Sequence, residues 1–222
     1  MKKQIFIYIF ILTTSVVSAQ LYEVGAFLGG SNYIGDIGST QYINPNAIAL
    51  GGIAKFNFTP RITFRGTMTY TKLQGDDSKS GNDFRINRGR NFKNNLIDVA
   101  LGVEFSFFKY SLSKIGFSQT PYIIAQIGAV NYSQYSDDAV AERVTSLVIP
   151  FGLGYKMRLA ENVGIAFETS FRYTLKDNID GNNHNLGAPY NFGNPNNDDW
   201  YVFTGITIVY AFGRPGCYTG EF

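Results

Sequence analysis

WYVFTGITIVYAF, residues 200–212, decides the fold. A strand sends successive side chains to opposite faces, so Trp200, Val202, Thr204, Ile206, Ile208, Tyr210 and Phe212 share one face. That face has rings at both ends and aliphatic groups between. The climb from Trp200 to Tyr210, at about 3.3 Å per residue and a tilt of about 40°, is about 25 Å. This is the height of the apolar band of an outer-membrane barrel, with its two aromatic girdles. A water-soluble strand has no reason to be so long or to carry rings at both rims.

Period-2 alternation recurs along the chain and predicts eight strands, near 21–35, 47–59, 61–73, 95–108, 120–133, 147–159, 162–175 and 199–213. In NVGIAFETSFRYTL (162–175), Val163, Ile165, Phe167, Phe171 and Tyr173 oppose Gly164, Ala166, Glu168, Ser170 and Arg172. Ile97, Val99, Leu101, Val103, Phe105 and Phe107 oppose Asp98, Ala100, Gly102, Glu104 and Ser106. The third strand sets Ile62, Phe64, Met68 and Tyr70 against a row with Arg65 and four threonines. The sixth sets Leu147, Ile149, Phe151, Leu153 and Tyr155 against Gly152, Gly154, Lys156 and Arg158. The first and fifth strands are less clean, and the faces of YIIAQIGAVNY (122–132) stay open. Pro150 removes a ladder donor, so a bulge is expected there.

Inverting the faces would give a soluble, lipocalin-like barrel. An eight-stranded interior is only wide enough for side chains to fill. Long rows of Phe, Tyr, Leu and Ile fit lipid better, and the small and charged rows fit the bore. The expected fold class is therefore all-β, an eight-stranded antiparallel transmembrane β-barrel of the outer-membrane type. Glu23, Lys55, Arg65, Asp98, Glu104, Lys156, Arg158, Glu168 and Arg172 then point inwards, five basic and four acidic groups. In so narrow a bore they read as a packed, salt-bridged plug in preference to a selective pore or proton path.

The connections alternate in kind. Thr59-Pro60 and Ala160-Glu161-Asn162 are tight, and 109–119 is a longer member of the same set. The connections near 36–46, 74–94, 134–146 and 176–198 are rich in Asn, Gly, Asp and Ser. Short periplasmic turns and longer outer loops are the pattern of outer-membrane barrels. MKKQIFIYIFILTTSVVSA (1–19) reads as a cleaved signal peptide, with the barrel at 20–213 and a periplasmic tail at 214–222. Lys2 and Lys3 account for two of the 19 basic residues. The 17 that remain match the 17 acidic ones. The mature chain has no bulk field for nucleic acid. Cys217 is the only cysteine, so no internal disulfide forms.

Site motifs are few. DDSKSGNDF, from Asp76, places Asp76, Ser78, Ser80 and Gly81 in the register of a calcium loop. Asn87 stands where its last acidic ligand belongs, so the stretch reads as a solvated surface loop. Arg85, Arg88, Arg90 and Lys93 follow beside Asp83 and read as a contact for anionic lipopolysaccharide or a neighbouring protein. His184 is the sole histidine and has no nucleophile motif near it, so it reads as a loop residue. No catalytic, cofactor or metal residue is expected. TGITIVY (204–210) resembles the C-terminal signal read by barrel-assembly machinery.

LYEVGAFLGGSNYIGDIG (21–38), YINPN (42–46), KFNFTPR (55–61), GDDS (75–78), NRGRNFKNN (87–95), EFSFF (104–108) and TPYIIAQIG (120–128) together resemble the PorG-type barrel of the type IX secretion system. The resemblance covers nearly all of the mature chain and is strongest in its first half. It implies a non-enzymatic component of a protein secretion machine in Gram-negative gliding or secreting bacteria. It also implies association with a periplasmic ring built from PorK (GldK) and PorN (GldN). The periplasmic positions that topology offers such a partner are Pro60, Arg61, Lys109, Lys114, Arg214 and Cys217. The competing expectation is a free-standing barrel, adhesin-like or transport-related, that works through its outer loops. A barrel enzyme comes third.

Overall fold

Alternation gives each strand one face for lipid and one for the bore, and the chain keeps that parity through eight strands. The computed structural model describes residues 21–112, 118–135, 141–176, 178–181 and 198–213. The strands are β1 (Leu21–Ile34), β2 (Ala47–Asn57), β3 (Ile62–Asp76), β4 (Asn91–Ser106), β5 (Gln119–Tyr135), β6 (Ala141–Ala160), β7 (Val163–Thr174) and β8 (Trp200–Phe212). They pair antiparallel in chain order and β8 closes back on β1. Met68, Leu101, Leu153, Phe167 and Ile208 are all more than half exposed, on the outer wall. The expected leader and tail lie outside the described residues.

Both girdles are present. At the short-turn end, Tyr22 lies 5.4 Å from Phe56 and 5.8 Å from Phe212, and Phe64 lies 6.2 Å from Phe56 and 6.0 Å from Phe58. At the long-loop end, Trp200 lies 4.8 Å from Tyr173 and 5.9 Å from Phe151. Such rings suit the wet edge of a bilayer, being apolar in body and, in Tyr and Trp, polar at one tip.

Three expectations change. No bulge forms at Pro150, which pairs in register with Arg172 on β7. On the β5 side the register is the same before and after it, Ala125↔Phe151 and Gly128↔Val148, with the ladder interrupted between. The missing donor costs a local gap and no slip. The shift in register lies instead at Arg158/Ala160, beside the turn where Asn162 adopts φ 60°.

Secondly, β3 to β6 run further than the apolar pattern does, so the expected 74–94 loop shrinks to residues 77–90. The ladder continues into water because backbone pairing needs partners, not an apolar face. Thirdly, β5 has a definite orientation. Tyr122, Ile124, Gln126, Val130 and Tyr132 are buried in the bore, while Ile123 and Ile127 face out.

In an outer membrane the short turns face the periplasm. A cysteine placed at exposed Gly81, in a Cys217→Ser background, is expected to label with an impermeant reagent on intact cells. One at exposed Glu161 is expected to label only after lysis; the opposite pattern would invert the barrel.

Candidate functional site

Glu104 on β4 is fully buried in the bore and gathers three cations. Its Oε2 lies 2.8 Å from Lys55 Nζ and 3.2 Å from Arg65 Nη1, and its Oε1 lies 2.5 Å from Lys156 Nζ. Lys55 and Arg65 are cross-strand partners on β2 and β3, while Lys156 arrives from β6. Arg65 also reaches Glu168, 3.1 Å away, and the Tyr122 hydroxyl donates to Glu168 Oε2 at 2.8 Å. Gly154, the β6 partner of Tyr122, makes room for that ring, since a Cβ there would lie 2.5 Å from it.

Towards the long loops, Asp98 Oδ2 accepts from Arg172 Nε at 3.1 Å and from the Tyr201 hydroxyl at 2.5 Å. The Arg172 guanidinium carbon lies 4.2 Å from the centre of the Phe203 ring, a cation–π contact. Towards the short turns, Glu23 accepts from Asn57 at 2.7 Å. A gap lined by Arg65, Thr67, Glu168, Arg172 and Phe203 measures about 10 Å³, about the space of one water.

Eight of the nine expected inward charges are buried in the bore. Arg158, on the same face of β6 as Lys156, is half-buried at the short-turn mouth with its Nε donating to Ala160 O at 3.2 Å. The bore is also less polar than expected. Its long-loop half is an apolar plug of Phe27, Tyr33, Leu73, Leu96, Tyr132 and Phe203 with their neighbours. Ile179, from the segment after β7, inserts into the plug. The carbonyl of Ile179 accepts from Asn94 Nδ2 at 2.8 Å and its amide donates to Asp199 Oδ2 at 2.7 Å. Tyr110 and Leu112 fold into the opposite mouth against Ile53, Val209 and Ala211. Lys156 lies 4.5 Å from the centre of the Tyr110 ring.

The loop at 77–90 is not simply solvated. It carries a single 3-10 turn, Asp77–Lys79, and one short α-helix, α1 (Asp83–Arg88), capped by Asn82 and ended by Gly89 at φ 66°. Asp77 is fully buried. It accepts from Arg88 Nε at 2.8 Å and from the amides of Gly38 and Arg90 at 2.9 and 3.1 Å. Arg88 also donates to Asp36 O, and Arg85 donates to the carbonyls of Gly35 and Gly38. Two of the arginines expected to meet lipopolysaccharide or another protein thus join one loop of this chain to another. Burial opposes ionisation of Asp77, but the Arg88 guanidinium and the two amides outweigh it and hold the carboxyl below its ordinary range.

Of the partner-facing candidates, Arg61 and Lys109 are exposed and Pro60 is half-buried. Pro60 O accepts from Tyr110 N at 3.0 Å and Arg61 O from Ser106 N at 2.7 Å, so the β2–β3 turn is fastened to the segment after β4. Lys114, Arg214, Cys217 and His184 lie outside the described residues.

Fold and bore together define an eight-stranded transmembrane β-barrel of the outer-membrane type with a side-chain-filled lumen. Over residues 2–221 the chain matches the family described as "Domain of unknown function (DUF6089)", and it belongs to that family. No curated protein matches it in sequence.

Among solved structures, the N-terminal barrel of Pseudomonas aeruginosa OprF is 14% identical, covering 88% of this chain and 98% of that one at a TM-score of 0.46. Neisserial surface protein A is 11% identical with the same coverages and a TM-score of 0.49. The attachment invasion locus protein Ail of Yersinia pestis, solved with the heparin analogue sucrose octasulfate, is 12% identical. That match covers 87% of this chain and 99% of that one at a TM-score of 0.44. The eight-stranded topology of this chain stands on its own strand pairing.

Replacing Glu104 by Gln leaves Lys55, Lys156 and Arg65 crowded without their shared counter-charge, at an expected loss of ~3–5 kcal/mol. The measurement is the urea midpoint of heat-modifiable migration, with Glu104→Asp expected to recover part of the loss. The Asp77 clamp has the sign of a depressed carboxylate. Its stabilisation is complete above the ordinary carboxylate pKa of about 4 and is lost as pH falls through the lower folded value. Resistance of residues 77–90 to an acid-active protease should therefore hold above the ordinary carboxylate range and fall as pH is lowered beneath it.

Proposed function

We propose that this chain is a non-enzymatic outer-membrane barrel of the type IX secretion system that tethers the periplasmic PorK/GldK and PorN/GldN ring. The observation that carries this reading is the filled bore. A charge hub at mid-height, an apolar plug above it and Tyr110 with Leu112 below it favour an anchor over a conduit. An anchor works through its ends. At the short-turn end, exposed Arg61, Lys109 and Phe108 surround a turn and a connection that are hydrogen-bonded to each other. Basic and aromatic groups on a fixed backbone suit a modest protein interface. The motif resemblance across the first half of the chain supplies the identity of the partner. Tyr110 is folded into the short-turn mouth of the bore and is not part of this surface.

The second reading, a free-standing barrel that binds through its outer loops, is favoured by the clamp between loops 35–46 and 77–90, which makes a shaped outer surface.

The deciding experiment recovers ring proteins on tagged barrel from solubilised outer membranes. Arg61→Glu with Lys109→Glu and deletion of 215–222 should lower recovery about tenfold, while heat-modifiable migration stays intact. Unchanged recovery from a folded variant would favour the outer-loop reading. In planar bilayers the wild-type barrel should give no stable conductance, and steady single-channel steps would remove the anchor argument.

A further inference from the structure

The outward wall of β3 to β6 changes chemistry within two rows. Pairing aligns Met68, Val99, Ala129 and Leu147 in one apolar row. The next outward row is Tyr70, Ile97, Asn131 and Thr145. Beyond it Lys72 pairs with Asn95, Ser133 with Arg143, and Lys93 follows two residues further along β4, paired with Gln74. Lys72, Lys93 and Arg143 are exposed, and none makes an ion pair among the described residues. Asp76, the acidic residue on the same outer face of β3, instead accepts from the Ser78 amide and hydroxyl at 3.0 and 2.7 Å.

We propose that this patch binds the phosphate groups of a phosphorylated glycolipid in the outer leaflet. Each cation lies one or two outward positions past the last apolar side chain of its strand, which is about 5–10 Å of climb. The polar zone of a leaflet is about 5–8 Å deep, so Lys72 stands at headgroup height, and the Arg143 guanidinium, bonded back to Asn131 one row below, and the long Lys93 side chain reach it.

One of them is already held in place. Arg143 Nη1 donates to Asn131 Oδ1 at 3.1 Å and to Asn95 O at 3.3 Å, laying the guanidinium across β5 towards β4. Asn131 is itself fixed by Val144 O at 3.2 Å and Thr145 Oγ1 at 3.0 Å. Arg143 donates these bonds from one nitrogen, and a guanidinium carries five N–H donors suited to phosphate.

Charge meant only for solubility would be spread around the rim. At the matching edge of β1, β2, β7 and β8 the outward positions hold Ile34, Ile48, Tyr173 and Trp200. Among the outward strand positions described at this rim, the cations fall on the tall side of the barrel; exposed Lys176 lies past the end of β7 and not on its wall. The lipid contact expected of the loop arginines thus moves to the wall, since Arg85 and Arg88 are engaged inside the loops. This inference rests on the barrel being embedded with its long loops outward, and does not depend on the ring.

The experiment uses the purified full barrel in phosphatidylcholine nanodiscs doped with diphosphoryl lipid A or with the same lipid dephosphorylated. Lipid retained after detergent exchange is counted by native mass spectrometry. Wild type should retain the phosphorylated form preferentially, and Lys72→Gln with Lys93→Gln and Arg143→Gln should lose that preference by about 100-fold. Lys79→Gln, an exposed loop cation, should not change it. Equal retention of both lipids by wild type, or undiminished retention by the triple variant, would each overturn the proposal. Heat-modifiable migration reports folding, and if the triple variant does not fold, the Lys72→Gln, Lys93→Gln pair should lose part of the preference or the proposal fails. No ring protein is present, so this outcome is independent of the tethering test.

Discussion

A carboxylate cannot sit at mid-height in a membrane barrel unless cations come to it, and the pairing of Glu104 organises the rest of the molecule. Taking a charge out of water costs several kcal/mol even after the surroundings relax. Eight strands make a bore in which side chains from opposite walls meet. Lys156 can therefore reach Glu104 from β6 while Lys55 and Arg65 approach from β2 and β3. Arg65 carries the network on to Glu168, and Tyr122 completes it through a space that only Gly154 leaves open. At the height these groups occupy there is no volume for the large apolar rows. They must face outwards, where lipid receives them.

This is why parity alone exposed so much of the fold. In β4 from Ile97 to Phe105 every second residue declares its face, and the inward row of β3 is Thr63, Arg65, Thr67, Thr69 and Thr71. β8 is less clean, since Tyr201, Phe203 and Val209 are buried in the bore and Val202, on the other face, is buried as well. In β5 parity says nothing, because Tyr122, Ile124 and Val130 face the bore while Ile123 and Ile127 face lipid. Deciding between them needs Glu168, the hydroxyl's partner, which is far away in sequence. The apolar plug was hidden for the same reason. Leu73 and Leu96 lie at the very end of the expected third strand and the start of the fourth, and Ile179 comes from a loop. A period-2 reading cannot say that a loop residue returns into the barrel.

Strand ends and loops escaped for a different reason. Alternation reports burial in lipid, and it stops where lipid stops. Lys72, Gln74, Lys93 and Arg143 still occupy regular outward ladder positions, but nothing apolar marks them. Loop charges are equally ambiguous in sequence. Arg85 and Arg88 look like surface cations until their carbonyl and carboxylate partners in 35–38 and at Asp77 are seen. Where the alternation was sound, as at Pro150, it outweighed a local rule about proline, because the ladder on one side held the register.

A buried ion-pair network is a poor source of stability compared with well-packed apolar side chains of the same volume. Its value here lies in register. A strand that slips by one residue exchanges its two faces, and for a barrel this moves the whole inward row into lipid. A slip of β3 would turn Arg65 outwards, at ~2–4 kcal/mol near the midplane. It would also strand Glu104 and Glu168 in the bore with one cation fewer. A slip of β2 would do the same to Lys55, and one of β6 to Lys156. An interior of alanine and glycine would carry no such penalty, and an interior of leucine would make the two faces equivalent. The hub therefore serves as the device that makes one pairing of the strands far better than its neighbours, and the closed bore is the consequence of that device.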